Sequence, residues 1–198
     1  MPIEPILDVS TIDPSRTVAD REAIARLNPH RGAMIQIDRI VWESEDGLIA
    51  AAEKVVRHDE FWVEGHVPGR PLLPGVLMVE AGAQLASWMY FKRCGKDAFA
   101  GFTRIEDTTF RGQVEPGQRL LLVCRALKTS DKRFVCRVQG FVEGAIVFES
   151  TVTGVVFPKL GRVERRPLTA AERDPDGAGA ISGGASGGAS GGAASGAV

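Results

Sequence analysis

The spacing of apolar and polar residues divides the middle of the chain into helical and extended segments. Apolar residues at near-helical intervals predict a short helix over residues 17–27. Strand patterns separated by turn residues, and one long helical run, account for the rest of this region. The predicted strands cover residues 34–42, 48–56, 98–110, 119–129, 132–143 and 145–157, and the long helix covers residues 74–93. Strands that flank one dominant helix indicate an α+β domain with a curved antiparallel sheet.

The long helix is apolar around nearly its whole circumference. Between residues 71 and 91, Glu80 is the one residue with an ordinary acidic or basic side chain. Such a helix is either the buried core of a domain or a membrane span. The polar residues Glu80, Gln84 and Ser87 interrupt the apolar run, and the surrounding strand pattern offers no second span. The sequence therefore predicts a buried helix wrapped by the sheet, with no membrane association.

Composition separates the two ends of the chain from the middle. Of the 22 residues from 177 to 198, 20 are Gly, Ala or Ser. Such a segment buries too little apolar surface to offset the entropy lost on ordering it. We predict a loose N-terminal segment over residues 1–15, one domain over 16–157 and a flexible Gly/Ala/Ser-rich tail over 158–198. The tail is either a plain solvated extension or a tether.

Charge and cysteine content narrow the classes of partner and compartment. The chain has 24 Lys and Arg residues against 25 Asp and Glu residues, a formal net charge of −1 at pH 7. That balance provides no basic field for nucleic acid and no polybasic membrane anchor. The cysteines Cys94, Cys124 and Cys136 are odd in number and form no close metal-ligand pair, which fits a reduced compartment. The N-terminus lacks the pattern of a signal peptide, so we expect a cytoplasmic location.

Glu80 is the first residue that indicates chemistry. A carboxylate is costly to bury without a partner and usually keeps its proton instead. A carboxylic acid held neutral near pH 7 is able to donate a proton to a leaving group. The alternative is a purely structural acid that Gln84, one turn further along the helix, satisfies through a hydrogen bond.

His66 lies in a stiff loop just before the long helix. Pro68, Pro71 and Pro74 fix the backbone there, and a fixed backbone is what a positioned catalytic base needs. Imidazole also titrates near neutral pH. The alternative for His66 is an ordinary surface histidine, and we assign that interpretation to His30 and His58.

The start of the long helix offers a site for a developing negative charge. We place Pro74 at the first helical position, so the N–H groups of Gly75 and Val76 have no acceptor inside the helix. These groups, with the positive end of the helix dipole behind them, would stabilise an oxygen that gains negative charge. A base, an acid and an oxyanion site in one stretch suit proton abstraction beside a carbonyl followed by loss of a hydroxyl group.

Residues 65–84, GHVPGRPLLPGVLMVEAGAQ, resemble the signature of the 3-hydroxyacyl-(acyl carrier protein) dehydratases, which have the hot-dog fold. The step from His66 to Glu80 matches the catalytic pair of that family. Glu at this position resembles the general elongation enzyme, whereas the sister enzyme that also isomerises the double bond has Asp. The segments LNPHRGAMIQIDRI, from Leu27, and FAGFTRIEDTTFRGQVEPGQ, from Phe99, resemble two further parts of the family pattern. The likeness covers about residues 22–157.

The resemblance implies a hot-dog homodimer, often assembled further into a trimer of dimers. It implies that His66 of one subunit meets Glu80 of the other, with the Gly75 N–H donating to the thioester oxygen. The implied substrate is a (3R)-3-hydroxyacyl chain on the phosphopantetheine arm of acyl carrier protein. The implied products are the trans-2-enoyl thioester and water, in fatty-acid biosynthesis, with no metal and no bound cofactor.

Three features depart from the family pattern and two alternatives stay open. Val67 replaces the usual Phe, the segment PHRGAM lacks the bulky residues often found after PHR, and Gly82 lies inside the helix, where it is costly unless a neighbour packs closely. All three concern acyl-chain preference more than the reaction. A hot-dog thioesterase would lack the loop around His66. A non-catalytic protein that binds acyl chains or a carrier would be expected to lose His66 or Glu80.

Local positive charge is needed to dock an acidic carrier protein. Arg111 follows Phe110 in a turn where the family carries basic residues, and we assign it to docking. Lys92, Arg93 and Lys96 cluster at the end of the long helix, where the simpler interpretation is compensation of the helix dipole.

Overall fold

The computed structural model describes residues 3–95, 98–157 and 166–177. Six antiparallel strands form a sheet in the order β1-β2-β4-β5-β6-β3. The elements are α1 (Arg21–Leu27), β1 (Arg39–Glu43), β2 (Ile49–Val55), α2 (Gly75–Cys94), β3 (Phe99–Phe110), β4 (Arg119–Thr129), β5 (Arg133–Val142), β6 (Ala145–Phe157) and α3 (Ala170–Arg173). Helix α2 packs against β2, β4, β5 and β6. The predicted α+β class, a curved sheet around one long helix, is confirmed.

Two element boundaries near the N-terminus differ from the prediction. Helix α1 begins at Arg21 because Ala19 is extended and pairs with Ile40, and the Asp20 side chain then caps the helix by accepting from the Ala23 N–H at 2.8 Å. The strand predicted from residue 34 begins only at Arg39. A 3-10 turn, Gly32–Met34, occupies the space before it.

Helix α2 forms the centre of the main hydrophobic core. It starts at Gly75, one residue later than predicted, because Pro74 occupies the N-cap position. It ends at Cys94, and the next residue, Gly95, caps it: the left-handed backbone of Gly95 (φ 62°) lets the Gly95 N–H donate to the Phe91 carbonyl at 3.0 Å. Every residue from Met78 to Phe91 is buried except Glu80, which is partly buried. In the part of the chain that the structure describes, none of the helices combines the length and the apolar character of a membrane span.

Gly82 is required where α2 lies against β5. A Cβ atom at this position would lie 2.5 Å from Cγ1 of Val138, which is itself buried and fixed in the sheet. The close neighbour that offsets the helical cost of glycine is therefore present.

We expect Gly82→Ala to destabilise the fold by about 1–3 kcal/mol, because the added methyl overpacks the helix–sheet contact. Chemical denaturation of the two proteins measures the difference. Val138→Ala removes the atom that the new methyl would meet, so Gly82→Ala should cost less in a Val138→Ala background than in the wild type. Equal costs in both backgrounds would contradict the steric explanation.

The N-terminal segment differs from the predicted loose end over its described part. Ile6 and Ile12 are buried in a second apolar cluster with Val41, Val123 and Phe141. These strand residues alternate with those facing α2, so the cluster lies on the opposite face of the sheet. The Ile6 N–H donates to the Gln139 Oε1 at 2.7 Å, and Gln139 is fully buried. The prolines and acids of this segment predict a loose end. In the structure, Ile6 and Ile12 instead cover apolar side chains on the outer face of the sheet.

The C-terminal region also differs from a uniformly flexible tail over residues 166–177. Leu168 is 5% exposed, and α3 contacts α1. The other residues of the predicted tail, 158–165 and 178–198, lie outside the described residues.

Candidate active site

Glu80, on helix α2, lines an apolar cavity. The cavity has a volume of about 340 Å³, and the Glu80 side chain is 21% exposed. The other lining residues come from α2 and from the edge strand β3, and they are Val76, Val79, Phe102, Ile105, Thr108 and Phe110. A single acid in an apolar cavity suits a ligand with an apolar chain and one polar reacting end.

Gln84 contacts Glu80 as predicted. Its Nε2 donates to the Glu80 Oε1 at 2.8 Å and to the Met34 carbonyl at 2.7 Å. Its Oε1 accepts from the Gln36 N–H at 2.9 Å. Because Gln84 is 2% exposed and bonded at both ends, it has little freedom to move. It therefore holds one Glu80 oxygen in a defined place.

His30 is the site residue that the sequence interpretation missed. Its Nε2 lies 3.3 Å from the Glu80 Oε1, so His30 is not the surface histidine that was expected. Its Nδ1 is buried and has no hydrogen-bond partner among the described residues. This places the proton of the neutral ring on Nε2, facing Glu80. The available signal was the NPHR segment itself, which resembles the opening of the family pattern.

The pKa of Glu80 differs from the expectation of a raised value. Burial raises the pKa, but hydrogen bonds from His30 and Gln84 stabilise the carboxylate and leave the pKa below its ordinary value. The Gln84 bond was open as an alternative in the sequence, whereas the His30 bond depends on a tertiary contact. In the isolated chain the ionised form therefore stabilises the fold at neutral pH, and that contribution is lost as the pH falls through the lowered pKa.

His66 lies in the loop before α2 and is exposed. Two backbone hydrogen bonds hold the loop. The His66 N–H donates to the Trp62 carbonyl at 2.9 Å, and the Leu73 N–H donates to the Val114 carbonyl at 2.7 Å. The His66 Nδ1 lies 2.9 Å from the Leu72 carbonyl. A carbonyl accepts only, so Nδ1 carries the proton and Nε2 is free to act as a base. Among the described residues of one chain, no hydrogen bond joins His66 to Glu80.

At the start of α2, two N–H groups precede the first helical hydrogen bonds. The N–H groups of Leu77 and Met78 both donate to the Pro74 carbonyl, so those of Gly75 and Val76 precede the first helical hydrogen bonds. A Cβ on Gly75 would lie 2.8 Å from the Phe110 ring, so this position is restricted to glycine as long as the ring stays in place. The helix start, Phe110 and Glu80 border the same cavity.

Arg111 is partly engaged within its own chain. Its Nη2 donates to the Glu149 Oε1 at 2.5 Å, and Arg137 donates to the other Glu149 oxygen at 3.1 Å. The Arg111 hydrogen bond is the main reason why the pKa of Glu149 lies below its ordinary value. The Arg111 side chain is still 38% exposed. The cation is therefore accessible but partly neutralised.

Of the cluster at the end of α2, Lys92 pairs with Glu43 and lies over the Trp88 ring, and Arg93 donates to the Asp46 carbonyl. Lys96 lies outside the described residues. A further cavity, of about 390 Å³, lies beneath the N-terminal segment. Of the two acids that line it, Glu53 is paired with Arg39 and Arg119, and Glu143 is exposed at the turn between β5 and β6.

A six-stranded antiparallel sheet around one long helix, with an acid on that helix facing an apolar cavity, defines a protein of the hot-dog class. Solved structures agree. The dehydratase heterocomplex ApeI:P from Xenorhabdus doucetiae matches with a TM-score of 0.58 and 15% identity, over 69% of this chain and 92% of that chain. A sigma28-regulated virulence protein from Campylobacter jejuni matches with a TM-score of 0.56 and 15% identity, over 75% of this chain and 97% of that chain. At these identities the likeness concerns the fold alone.

Sequence comparison places the chain more narrowly. Residues 28–151 match the FabA-like domain. The chain is 35% identical over 148 residues to the 3-hydroxyacyl-(acyl carrier protein) dehydratase FabZ of Nitratidesulfovibrio vulgaris, which covers 73% of this chain and 96% of the relative. It is 35% identical over 136 residues to the FabZ dehydratase of Klebsiella pneumoniae, over 66% of this chain and 88% of the relative. The chain belongs to the FabA-like family.

Proposed function

We propose that this protein dehydrates (3R)-3-hydroxyacyl-(acyl carrier protein) to the trans-2-enoyl thioester in fatty-acid biosynthesis. The observation that carries the proposal is the acid Glu80 in an apolar cavity that also borders the donors at the start of α2. The relatives named above are dehydratases of this substrate class, which favours this reaction over a thioesterase or a non-catalytic binding protein. The substrate chain arrives on the phosphopantetheine arm of the carrier, and the reaction uses no metal or bound cofactor.

In this mechanism His66 acts at C2 of the acyl chain, and Glu80 acts on the hydroxyl group at C3. His66 Nε2 takes the proton from C2, and the negative charge that develops on the thioester oxygen is stabilised by the N–H groups of Gly75 and Val76. The C3–O bond breaks, and the departing hydroxyl takes the proton of Glu80 to form water. The reaction leaves His66 protonated and Glu80 ionised. Loss of the His66 proton to solvent and return of a proton from solvent to Glu80 restore both groups and complete the cycle.

Glu80 must be protonated to play this part. An acyl chain that fills the cavity removes water from around Glu80, which strengthens the effect that raises its pKa. The two hydrogen bonds that lower the pKa then also orient the carboxyl group. In this proposal, substrate binding shifts Glu80 towards its protonated form.

A second copy of the chain completes the site in this proposal. Strand β3 is an edge of the sheet, and apolar side chains are exposed on it or beside it at Phe102, Ile105, Phe110 and Val76. Exposed apolar edge strands favour pairing with another chain. A dimer across β3 would cover them and bring His66 of one subunit to Glu80 of the other. Further assembly into a trimer of dimers, and a cytoplasmic location, belong to the same proposal.

The function is tested by incubating the purified protein with a 3-hydroxyacyl carrier protein and analysing the products by mass spectrometry. We expect the enoyl carrier protein to form and to reach equilibrium with the 3-hydroxyacyl substrate through reversible hydration. Release of free acid and unacylated carrier would instead identify a thioesterase, and unchanged substrate with measurable carrier binding would identify a non-catalytic protein.

For Arg111 we expect a substrate-dependent effect. Arg111→Glu should raise KM severalfold for carrier-bound substrate, because it reverses one exposed charge and leaves Glu149 beside another acid. On a free pantetheine thioester, which lacks the acidic carrier, kcat/KM should stay near the wild-type value. Added salt should reduce the difference between the two proteins on the carrier substrate. Equal losses on both substrates would contradict the docking role.

A further inference from the structure

The segment of residues 166–177, here called the C-terminal clamp, lies outside the part of the chain that matches the FabA-like domain. It is nevertheless attached to that domain at several points. Leu168 is buried, and Glu172 accepts a hydrogen bond from the Gly32 N–H. Asp176 pairs with Arg57 at 2.9 Å. The clamp is therefore an addition to the common domain that touches the loop of residues 28–34, here called the His30 loop.

The clamp is internally ordered around Glu172. Thr169 and Glu172 form a capping box, and Arg166 donates to both Glu172 oxygens at 2.8 and 2.6 Å. Chiefly through the Arg166 hydrogen bonds, the pKa of Glu172 lies far below its usual range. The carboxylate is therefore ionised at any pH near neutrality, and it presents one oxygen to the His30 loop.

Arg31 connects the clamp to the backbone of His30. Its Nε donates to the Arg166 carbonyl at 2.7 Å. Its Nη1 donates to the carbonyls of Asn28 at 3.0 Å and of His30 at 2.7 Å. One guanidinium group thus holds the clamp and both sides of the turn that carries the His30 side chain.

The His30 ring has few constraints of its own. Its Nδ1 has no partner among the described residues, and its Nε2 makes one polar contact, with Glu80 at 3.3 Å. The position of the ring relative to Glu80 therefore depends on the backbone of the His30 loop. That backbone is held by Arg31 and, at Gly32, by Glu172.

From these contacts we infer that the C-terminal clamp positions His30 against Glu80, and that Arg31 and Glu172 are positioning residues for the dehydration step. The inference rests on the proposed role of Glu80 as the acid. When the clamp is weakened, His30 moves away from Glu80 and the carboxyl group loses one of the two bonds that orient it. A small displacement of a reacting group lowers the rate substantially without abolishing it.

The test compares Glu172→Gln with Arg173→Gln on the intact protein. Glu172→Gln keeps the size of the side chain but weakens its bonds to Arg166 and Gly32. Arg173 lies on the same short helix and is exposed, so it is the matched control. We expect Glu172→Gln to lower kcat about tenfold with a smaller change in KM, and Arg173→Gln to leave both near the wild-type values. Thermal unfolding of each protein confirms that it is folded in the assay.

The pH profile separates positioning from general loosening of the fold. The groups that face Glu80 are His30 from the loop, Gln84 from its own helix and, in the proposed dimer, His66 of the partner subunit; the cavity residues from β3 are uncharged. Loss of the His30 bond removes a contribution that lowers the pKa of Glu80. Glu80 must be protonated to act as the acid, so kcat should fall at alkaline pH as Glu80 ionises. In Glu172→Gln and in His30→Gln this fall should occur at higher pH than in the wild type. The double variant should be no slower than His30→Gln alone.

Three results would decide against the inference or its basis. Wild-type kcat and an unshifted pH limb in Glu172→Gln would overturn it, and so would losses in Glu172→Gln and His30→Gln that simply add. If the wild type and Arg173→Gln both fail to form enoyl product, the proposed function itself fails, which is a different outcome from an active wild type with an insensitive clamp.

Discussion

Glu80→Gln is expected to lower kcat by about a hundredfold to ten-thousandfold, the usual contribution of a positioned general acid. The amide keeps the shape of the side chain, and its oxygen still accepts from Gln84 and His30, but it has no proton to give to the departing hydroxyl. The fold should therefore survive while the chemistry is lost. Steady-state kinetics on a carrier-bound 3-hydroxyacyl substrate measure the effect.

Glu45→Gln is the matched control for this substitution. Glu45 lies exposed in the β1–β2 turn, far along the chain from the cavity, and the same change there should leave kcat unaltered. A Glu80→Gln protein that retains near wild-type turnover would remove Glu80 from the mechanism. A loss of activity accompanied by unfolding in circular dichroism would equally contradict the stated reason.

The second large effect is a recovery of activity on mixing two inactive proteins. His66→Ala and Glu80→Gln should each be nearly inactive alone. A heterodimer of the two contains one site with an intact His66 from one chain and an intact Glu80 from the other. With random exchange half of the dimers are mixed, so activity should return to about a quarter of the wild-type value. Co-expression followed by an assay of the unseparated dimers measures this. A dimer purified through two affinity tags is entirely mixed, so it should reach about half of the wild-type value.

A matched mixture controls for that recovery. The double variant His66→Ala/Glu80→Gln mixed with either single variant contains no intact site, so it should stay inactive. If the two single variants also stay inactive although mixed dimers form, the two residues do not meet across a shared interface. Light scattering at micromolar concentration provides the companion check, because a folded and active monomer would contradict a shared site.

The strand and helix pattern of this chain is strongly local, which is why most of the fold could be predicted. The boundaries of β4 and β6 agree with the prediction, and those of β2, β3 and β5 agree within about a residue. The failures occur where a tertiary contact overrides the pattern. Residues 34–38 alternate like a strand, yet the turn at Gly32 and the contact of Gln36 with Gln84 hold this stretch outside the sheet.

Part of the candidate site could be predicted from the sequence for the same reason. Glu80 stood out because an acid in an apolar helix is chemically costly, and His66 because its loop is rich in proline. His30 did not stand out, since apart from the family-like NPHR segment nothing in its local sequence distinguishes it from a surface histidine. Only the folding of the His30 loop onto α2 brings its ring to Glu80. That contact and the Gln84 hydrogen bond together lower the pKa of Glu80, against the direction that burial alone would give.

By itself, the sequence determined the α+β class and the buried helix, and it singled out Glu80 and His66 as the candidate acid and base, because periodicity and side-chain chemistry are properties of neighbouring residues. The tertiary structure decided the rest. It placed Ile6 and Ile12 on the outer face of the sheet, and it seated residues 166–177 on the His30 loop. Those contacts join residues more than 100 positions apart. Their free energy comes from surfaces that exist only after the sheet has formed, so no local pattern encodes them.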